Sequence, residues 1–231
     1  VSDLGILLAS IYAKEGPIPL TVDTACTDEF EPLARYSGLK EIERVSRFHV
    51  LNHKAVAKKY AKDINRKYED LNLVVCHMGG GTSVAIHHHG RLIDGNNGLD
   101  GDGPFSTDRS CGLPVGALID MCYSGKYSYK EMRRKIKGLG GLMSYVGETD
   151  VELIQKKALE ENDLECKNAL DAMCYQTAKE IAAEIEKNYK ISVDKRKISL
   201  KNEIKSLGAY EAEVKLYNGI NAKMTVMVTE E

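Results

Sequence analysis

The sequence predicts an α/β fold over most of the chain, followed by a small separate α+β tail. Three observations predict it. Residues 72–94 hold two apolar runs of strand length, NLVVCHM and VAIHHHGRLID, around a glycine-rich turn. Amphipathic patterns of helical period stand on either side, KAVAKKYAKDINRKY before them and residues 116–187 after. From about residue 190 the period falls to two.

Taken in order, VSDLGILLASIYAKEG reads as an amphipathic helix, with Leu4, Leu7, Leu8 and Ile11 at helical spacing. It lacks a basic leader, so it is a poor signal peptide. The chain opens on Val1 and is expected to start inside a longer protein. PIPLTVDTACT predicts a short strand ending at Asp23, and DEFEPLARYSG a short helix capped by Asp28 and closed by Gly38. KAVAKKYAKDINRKY predicts a longer helix whose apolar face carries Ala55, Val56, Tyr60 and Ile64. After the strands, residues 95–116 form a long loop rich in glycine, proline and aspartate, the kind that carries function. Helices are expected at 116–124, 128–137 and 150–187, the last broken near Asn162. In the tail, SVDKRKISL, AYEAEVKLY and AKMTVMV predict strands, with Asn218-Gly219 as a hairpin turn. Ala212, Val214 and Leu216 mark one face, and Met224, Val226 and Val228 the facing one.

With 43% hydrophobic and 29% charged residues, the 231-residue chain has an ordinary globular balance. Its net charge of -2 gives no global attraction to nucleic acid or anionic lipid. No apolar run is long enough to span a membrane. Six cysteines at 26, 76, 111, 122, 166 and 174 include no C-x-x-C pair. Buried, reduced thiols in a cytoplasmic protein are expected, rather than disulfides or zinc.

Four features bear on chemistry. Gly79, Gly80 and Gly81, with the hydroxyls of Thr82 and Ser83, make a turn whose amides are able to surround an anion. The spacing fits neither a Walker loop nor a dinucleotide loop, since a strand follows instead of a helix. It is either the phosphate-gripping hairpin of actin-like ATPases or a plain hairpin turn. Arg109, in the loop DGDGPFSTDRSCGLP, either steadies a transferring phosphoryl group or pairs with Asp108 at the surface. His49 is either a phosphate donor or a core histidine, and His53 is expected exposed at a helix start. His87, His88 and His89 alternate across a strand and cannot share one metal, so a solvated strand end is expected.

Five segments, in order, carry a resemblance: IPLTVDTACTDEFEPLARYSGL, EIERVSRFHVLNHKAVAKKYA, NLVVCHMGGGTSVAIHHHGRLIDGNNGLDGDGPFSTDRS, GLPVGALIDMCYSGKYS and KGLGGLMSYVGETD. Over about residues 1–187 the chain resembles the acetokinase family, its butyrate-phosphorylating members most closely. The resemblance implies an actin-like, ribonuclease-H-like fold. It implies ATP with Mg2+ as cofactors, a short-chain carboxylate as substrate, and a homo-oligomer. Asp23 would orient magnesium or the attacking carboxylate, and His49 and Arg109 would stabilise the transition state. His77, Gly79, Gly80, Gly81 and Thr82 would hold the ATP phosphates. The sequence departs from the family in lacking its opening glycine–serine phosphate loop, an early substrate arginine and a later Thr-Gly-Gly segment. Weak or absent turnover by the chain alone is therefore expected. Cys111 stands where glycine or another small residue is usual, and Asp102 where glutamate is usual.

The remainder, EIEKNYKISVDKRKISLKNEIKSLGAYEAEVKLYNGINAKMTVMVTEE, resembles the C-terminal domain of bacterial large-subunit ribosomal protein nine. That resemblance implies ribosomal RNA contact through Lys195, Arg196 and Lys197. The expected division is an acetokinase-like part at 1–187 and a ribosomal-protein-like part at 188–231, joined as a fusion or chimera.

Overall fold

A computed structural model describes residues 2–13, 16, 18, 20–189, 198–200, 208–217 and 220–228. Helix α1 covers Ser2–Tyr12, α2 Val50–Asp63, α3 Val115–Tyr123, α4 Tyr129–Ile136, α5 Gly141–Val146, α6 Val151–Glu160 and α7 Leu164–Tyr189. Strands β1 (Asn72–Met78), β2 (Thr82–His88) and β3 (Arg91–Gly95) form one antiparallel sheet in that order. Strands β4 (Ile198–Leu200), β5 (Gly208–Tyr217) and β6 (Ile220–Val228) form a second.

Both faces of the first sheet are covered, which is why NLVVCHM reads as a continuous apolar run. Helices α2 and α7 both pack on it. Ala57 and Ala61 of α2, with Tyr68 and Leu71, form one cluster against Leu73 and Val75. Phe30, Phe48, Val50, Ala85 and Leu92 form a second cluster on the sheet. A third cluster joins Phe105 to Leu142 of α5, Ile154 and Ala158 of α6, and Ala169 and Met173 of α7.

Local capping sets the helix limits. Ser128 and Glu131 form a reciprocal capping box at the start of α4. Asp150 accepts from the backbone N–H groups of Glu152 and Leu153 to start α6. The expected break falls at Asn162, whose φ of 55° is left-handed, and Asp163 then caps α7.

Several expectations are corrected. PIPLTVDTACT forms no strand among the described residues, and Leu20 is 85% exposed. A strand needs a partner for its backbone groups, and among the described residues none pairs with this segment. DEFEPLARYSG holds only a single 3-10 turn at Pro32–Arg35. Asp28 does not cap it; its carboxylate accepts from Phe30 N–H and holds Arg35 at 2.7 and 2.8 Å. The buried face of α2 is Val50, His53, Lys54, Ala57 and Ala61, whereas Ala55 and Ile64 are exposed. The packing stripe is thus rotated about one residue from the apolar pattern, because polar His53 and Lys54 find buried partners. Cys26, Cys122 and Cys174 are exposed, not buried, and all six thiols are free. Leu7, Leu8 and Ile11 of α1 are exposed too.

In the tail the register pairs Ala212 with Met224 and Tyr210 with Val226. Asn218-Gly219, Lys195, Arg196 and Lys197 lie outside the described residues.

Candidate functional site

The antiparallel register explains which side chains meet. His77 pairs with Ser83, Val75 with Ala85, and Leu73 with His87. Side chains two apart share a face, so His77, Ser83, Ala85 and His87 look the same way. Leu73 and Val75 place that face against α2. His49 caps α2, and His53 follows four residues later on the same side of the helix. Four imidazoles are thereby brought into one column. His49 stacks on His77 at 3.8 Å between centroids, and His53 on His87 at 5.8 Å.

Ser83 stands at the centre of this column. Its Oγ lies 2.9 Å from His49 Nδ1 and 2.8 Å from His53 Nε2. His77 Nδ1 lies 3.2 Å from Asn52 Oδ1, and His87 Nδ1 lies 2.6 Å from the Tyr68 hydroxyl. His53 and His87 are fully buried, which overturns the expected exposed helix start and solvated strand end. His88 and His89 do remain exposed.

Arg109 reaches the same place from the long loop. Its side chain is only 13% exposed. Nη1 donates to Gly98 O at 2.7 Å, and Nε lies 3.6 Å from Asp108 Oδ1. The expected Asp108 pairing is therefore present, but at a buried position and beyond hydrogen-bond length. Arg109 Nε and Asp108 Oδ1 are both buried without a hydrogen-bond partner. A Cβ placed on Gly81 would lie 2.1 Å from Arg109 Nη1 and 3.2 Å from His49 Cε1. Glycine is needed at 81 because the guanidinium and the imidazole converge on its α-carbon. Gly80 is exposed, and a Cβ there would meet nothing.

The loop is held by contacts that sequence reasoning missed. Ser106 Oγ donates to Gly80 O at 2.7 Å. Asn96 Oδ1 accepts from Val84 N–H, and its Nδ2 donates to Thr82 O and Asp102 O. Leu142 N–H and Met143 N–H of α5 donate to Ser106 O and Thr107 O, and Gly138 N–H donates to Asp108 O. A polar residue that bonds only backbone leaves no periodic trace, although the density of Asn, Asp and Gly in this loop signalled one. Asp102 accepts from Asn97 N–H and faces Arg44 at 3.6 Å. Cys111 has a φ of 48°, in the left-handed region that favours glycine. Burial pushes its thiol up to about 11, so it stays protonated.

Asp23 is not part of this convergence among its recorded contacts. Its carboxylate faces Lys54 at 3.5 Å and Lys58 at 3.8 Å. Thr82 is buried at the start of β2. The donors around Gly81 suit an anionic group: the Arg109 guanidinium beside an open glycine turn. A magnesium ion finds no such match. Among the described residues no cluster of three or more His, Cys, Asp or Glu is arranged to hold a metal.

Burial holds the rings neutral. The His49 imidazole is lowered to about 4 by burial, with His77 and Arg109 adding to the effect. His87 falls to about 4 through burial and then Lys54, and burial lowers His53 well below its ordinary value. An unfolded histidine titrates near about 6.5. Between that value and about 4 the unfolded chain therefore binds more protons, and stability falls as pH falls. Each ring contributes a slope of up to about 1.4 kcal/mol per pH unit. Glu184, raised to about 7 by burial, and Glu180, also raised, act in the opposite sense. Three rings against two acids leave a net loss in acid. Urea midpoints at pH 7.5 and 5 check this; equal midpoints would contradict it.

Comparison with known proteins identifies the family of the chain. The acetokinase family model matches residues 35–194, and the model for ribosomal protein L9, C-terminal domain, matches residues 176–230. The chain is 50% identical over 181 residues to butyrate kinase 1 of Clostridium acetobutylicum, covering 78% of this chain and 51% of that one. It is 49% identical over 181 residues to a probable butyrate kinase of Clostridium botulinum, with the same coverage. The chain thus spans about half the length of the curated relatives it matches. Among solved structures, a propionate kinase from Francisella tularensis aligns with a TM-score of 0.65 at 24% identity, over 79% of this chain and 48% of that one. Acetate kinase of Porphyromonas gingivalis aligns at 0.64 and 18% identity, over 71% and 43%. These likenesses give the body the actin-like fold, and with the match over residues 35–194 they establish that the chain belongs to the acetokinase family.

Proposed function

We propose that the chain serves ATP-dependent phosphorylation of a short-chain carboxylate, butyrate preferred, to an acyl phosphate. The observation that carries this is the convergence of Arg109 and His49 on Gly81 at the tip of a strand–turn–strand hairpin. A carboxylate oxygen attacks the γ-phosphorus, the bond from that phosphorus to the β–γ bridging oxygen breaks, and ADP leaves with the electron pair. No proton need move. Catalysis then lies in positioning and in stabilising charge on the transferring group. Arg109 supplies fixed positive charge and His49 a neutral donor. The turn Gly79, Gly80, Gly81, with His77 and Thr82 behind it, holds the phosphates. Mg2+ would arrive with ATP, held by phosphate oxygens and water. Asp23 orients substrate or metal only after release from Lys54 and Lys58. A homo-oligomer in the cytoplasm is part of the same proposal. Hydroxylamine trapping of acyl phosphate tests it in a full-length relative carrying these residues. Butyryl phosphate should form faster than acetyl phosphate; no ATP-dependent acyl phosphate would end the proposal.

A second reading rests on the 176–230 match. Under it, the chain divides near residue 187, and Lys195, Arg196 and Lys197 contact ribosomal RNA phosphates. Replacing all three by alanine should weaken salt-sensitive binding to large-subunit RNA and flatten its salt slope by about three. Unchanged binding, or none in the parent chain, would dismiss it.

A further inference from the structure

We propose that Ser83 and His53 are positioning residues that fix the tautomer of His49, so that His49 carries its proton on Nε2. The inference rests on the kinase reading only for what that proton does; the hydrogen-bond chain itself is independent of it.

The argument is one of polar satisfaction. His53 is fully buried and neutral, so it carries one ring proton. Its Nδ1 is buried with no hydrogen-bond partner, while its Nε2 lies 2.8 Å from Ser83 Oγ. A proton on Nδ1 would leave a buried N–H unmade, the costlier kind of orphan. The proton therefore belongs on Nε2, which donates to Ser83 Oγ. Ser83 is itself fully buried, and its hydroxyl has one proton to give. His49 Nδ1, 2.9 Å away, is the other polar atom recorded within reach. Donation there requires His49 Nδ1 to be an acceptor. The single proton of neutral His49 is then on Nε2. The opposite assignment would turn both bonds around and strand an N–H at His53 Nδ1.

The consequence is a donor of fixed direction. Backed by Ser83, His49 offers an N–H from its other nitrogen, near the guanidinium of Arg109. Two donors side by side repel unless an anion lies between them, which suits an oxygen of a transferring phosphoryl group. Without Ser83 the ring is free to exchange tautomers, and in one of them it turns a lone pair towards the anion. The stack of His49 on His77 limits rotation of the ring but does not choose the tautomer.

Long-range 1H–15N spectra of the histidine-labelled full chain at pH 7.5 test this directly, with His49→Gln and His53→Gln used to assign signals. Both His49 and His53 should appear as fixed Nε2–H tautomers. In Ser83→Ala the His49 signals should move to an averaged or Nδ1–H pattern, and Ser83→Thr should keep the parent pattern. A His49 Nδ1–H tautomer in the parent chain would overturn the proposal. So would an unchanged Nε2–H tautomer in Ser83→Ala. If Ser83→Ala fails to fold, the parent and Ser83→Thr spectra still decide. In a full-length relative Ser83→Ala should lower kcat about 10–100-fold, as loss of an orienting hydrogen bond does, with KM nearly unchanged. The spectra need no substrate. A fixed tautomer without acyl phosphate formation would reject the kinase reading alone, and the reverse would reject this chain alone.

Discussion

Arg109→Ala in a full-length relative carrying these residues is expected to lower turnover by about 10^3-fold or more, with KM for ATP and carboxylate changing only severalfold. The charge on a transferring phosphoryl group is spread over its equatorial oxygens, and a buried guanidinium meets it with strength that water would dissipate. Arg109 is 13% exposed and anchored by one hydrogen bond to Gly98 O. Its Nε is buried and faces Asp108 Oδ1 at 3.6 Å, so the guanidinium is positioned from two sides. Arg109→Lys keeps the charge and loses the fork, and should recover only part of the rate. Gly81→Ala gives an independent check. Its methyl group would fall 2.1 Å from Nη1, so the guanidinium must move while remaining in the protein. A similar loss of kcat in Gly81→Ala ties the rate to the position of the charge. Near-normal turnover in Arg109→Ala would show that the role is wrongly assigned. Acyl phosphate formation under saturating substrate is the measurement.

Gly141→Ala is expected to be the most damaging methyl group that can be added to the body of the chain. Gly141 opens α5 with a φ of 59°, in the left-handed region that L side chains rarely adopt. Its added Cβ would lie 2.0 Å from Ser106 O and 2.9 Å from Arg109 O. Both contacts are backbone, so no rotamer change relieves them. The loop 106–110 would have to leave α5 and break the bonds from Leu142 and Met143 to Ser106 and Thr107. Strain and lost hydrogen bonds together should cost about 3–5 kcal/mol of stability. Ser106 would no longer hold Gly80, and Arg109 would leave Gly81, so activity should fall with stability. Gly147→Ala serves as a control, since it is also left-handed but its Cβ would meet nothing. It should cost only about 1 kcal/mol. Chemical denaturation of the two variants measures the difference. Equal midpoints would mean that the loop gives way easily.

Sequence alone located the hairpin and most helices and proposed the site candidates, but it missed α5 and placed a strand at PIPLTVDTACT that does not form among the described residues. The two apolar runs around Gly79–Gly81 read as strands by length and by the glycine turn between them, and β1 and β2 fall there. The break at Asn162 and the caps at Ser128 and Asp150 are local chemistry, set by neighbours within four residues. His49 and Arg109 were legible as candidates through ordered family resemblance, with both of their bland alternatives still open. What the sequence did not determine was where side chains at matching periods would point. Helix α2 buries His53 and Lys54 because a serine and two carboxylates await them. That depends on residues 30 positions away, beyond the reach of periodicity. His87 is buried because α2 covers its face of the sheet, and His88 is exposed at the very end of β2. PIPLTVDTACT has strand propensity, but its described residues form no strand, and Leu20 and Val22 are exposed. The tertiary structure decided that Arg109, alone in a loop, lies against Gly81. Loops have no period; only close packing of backbone on backbone, here α5 on residues 106–110, fixes where such a side chain arrives.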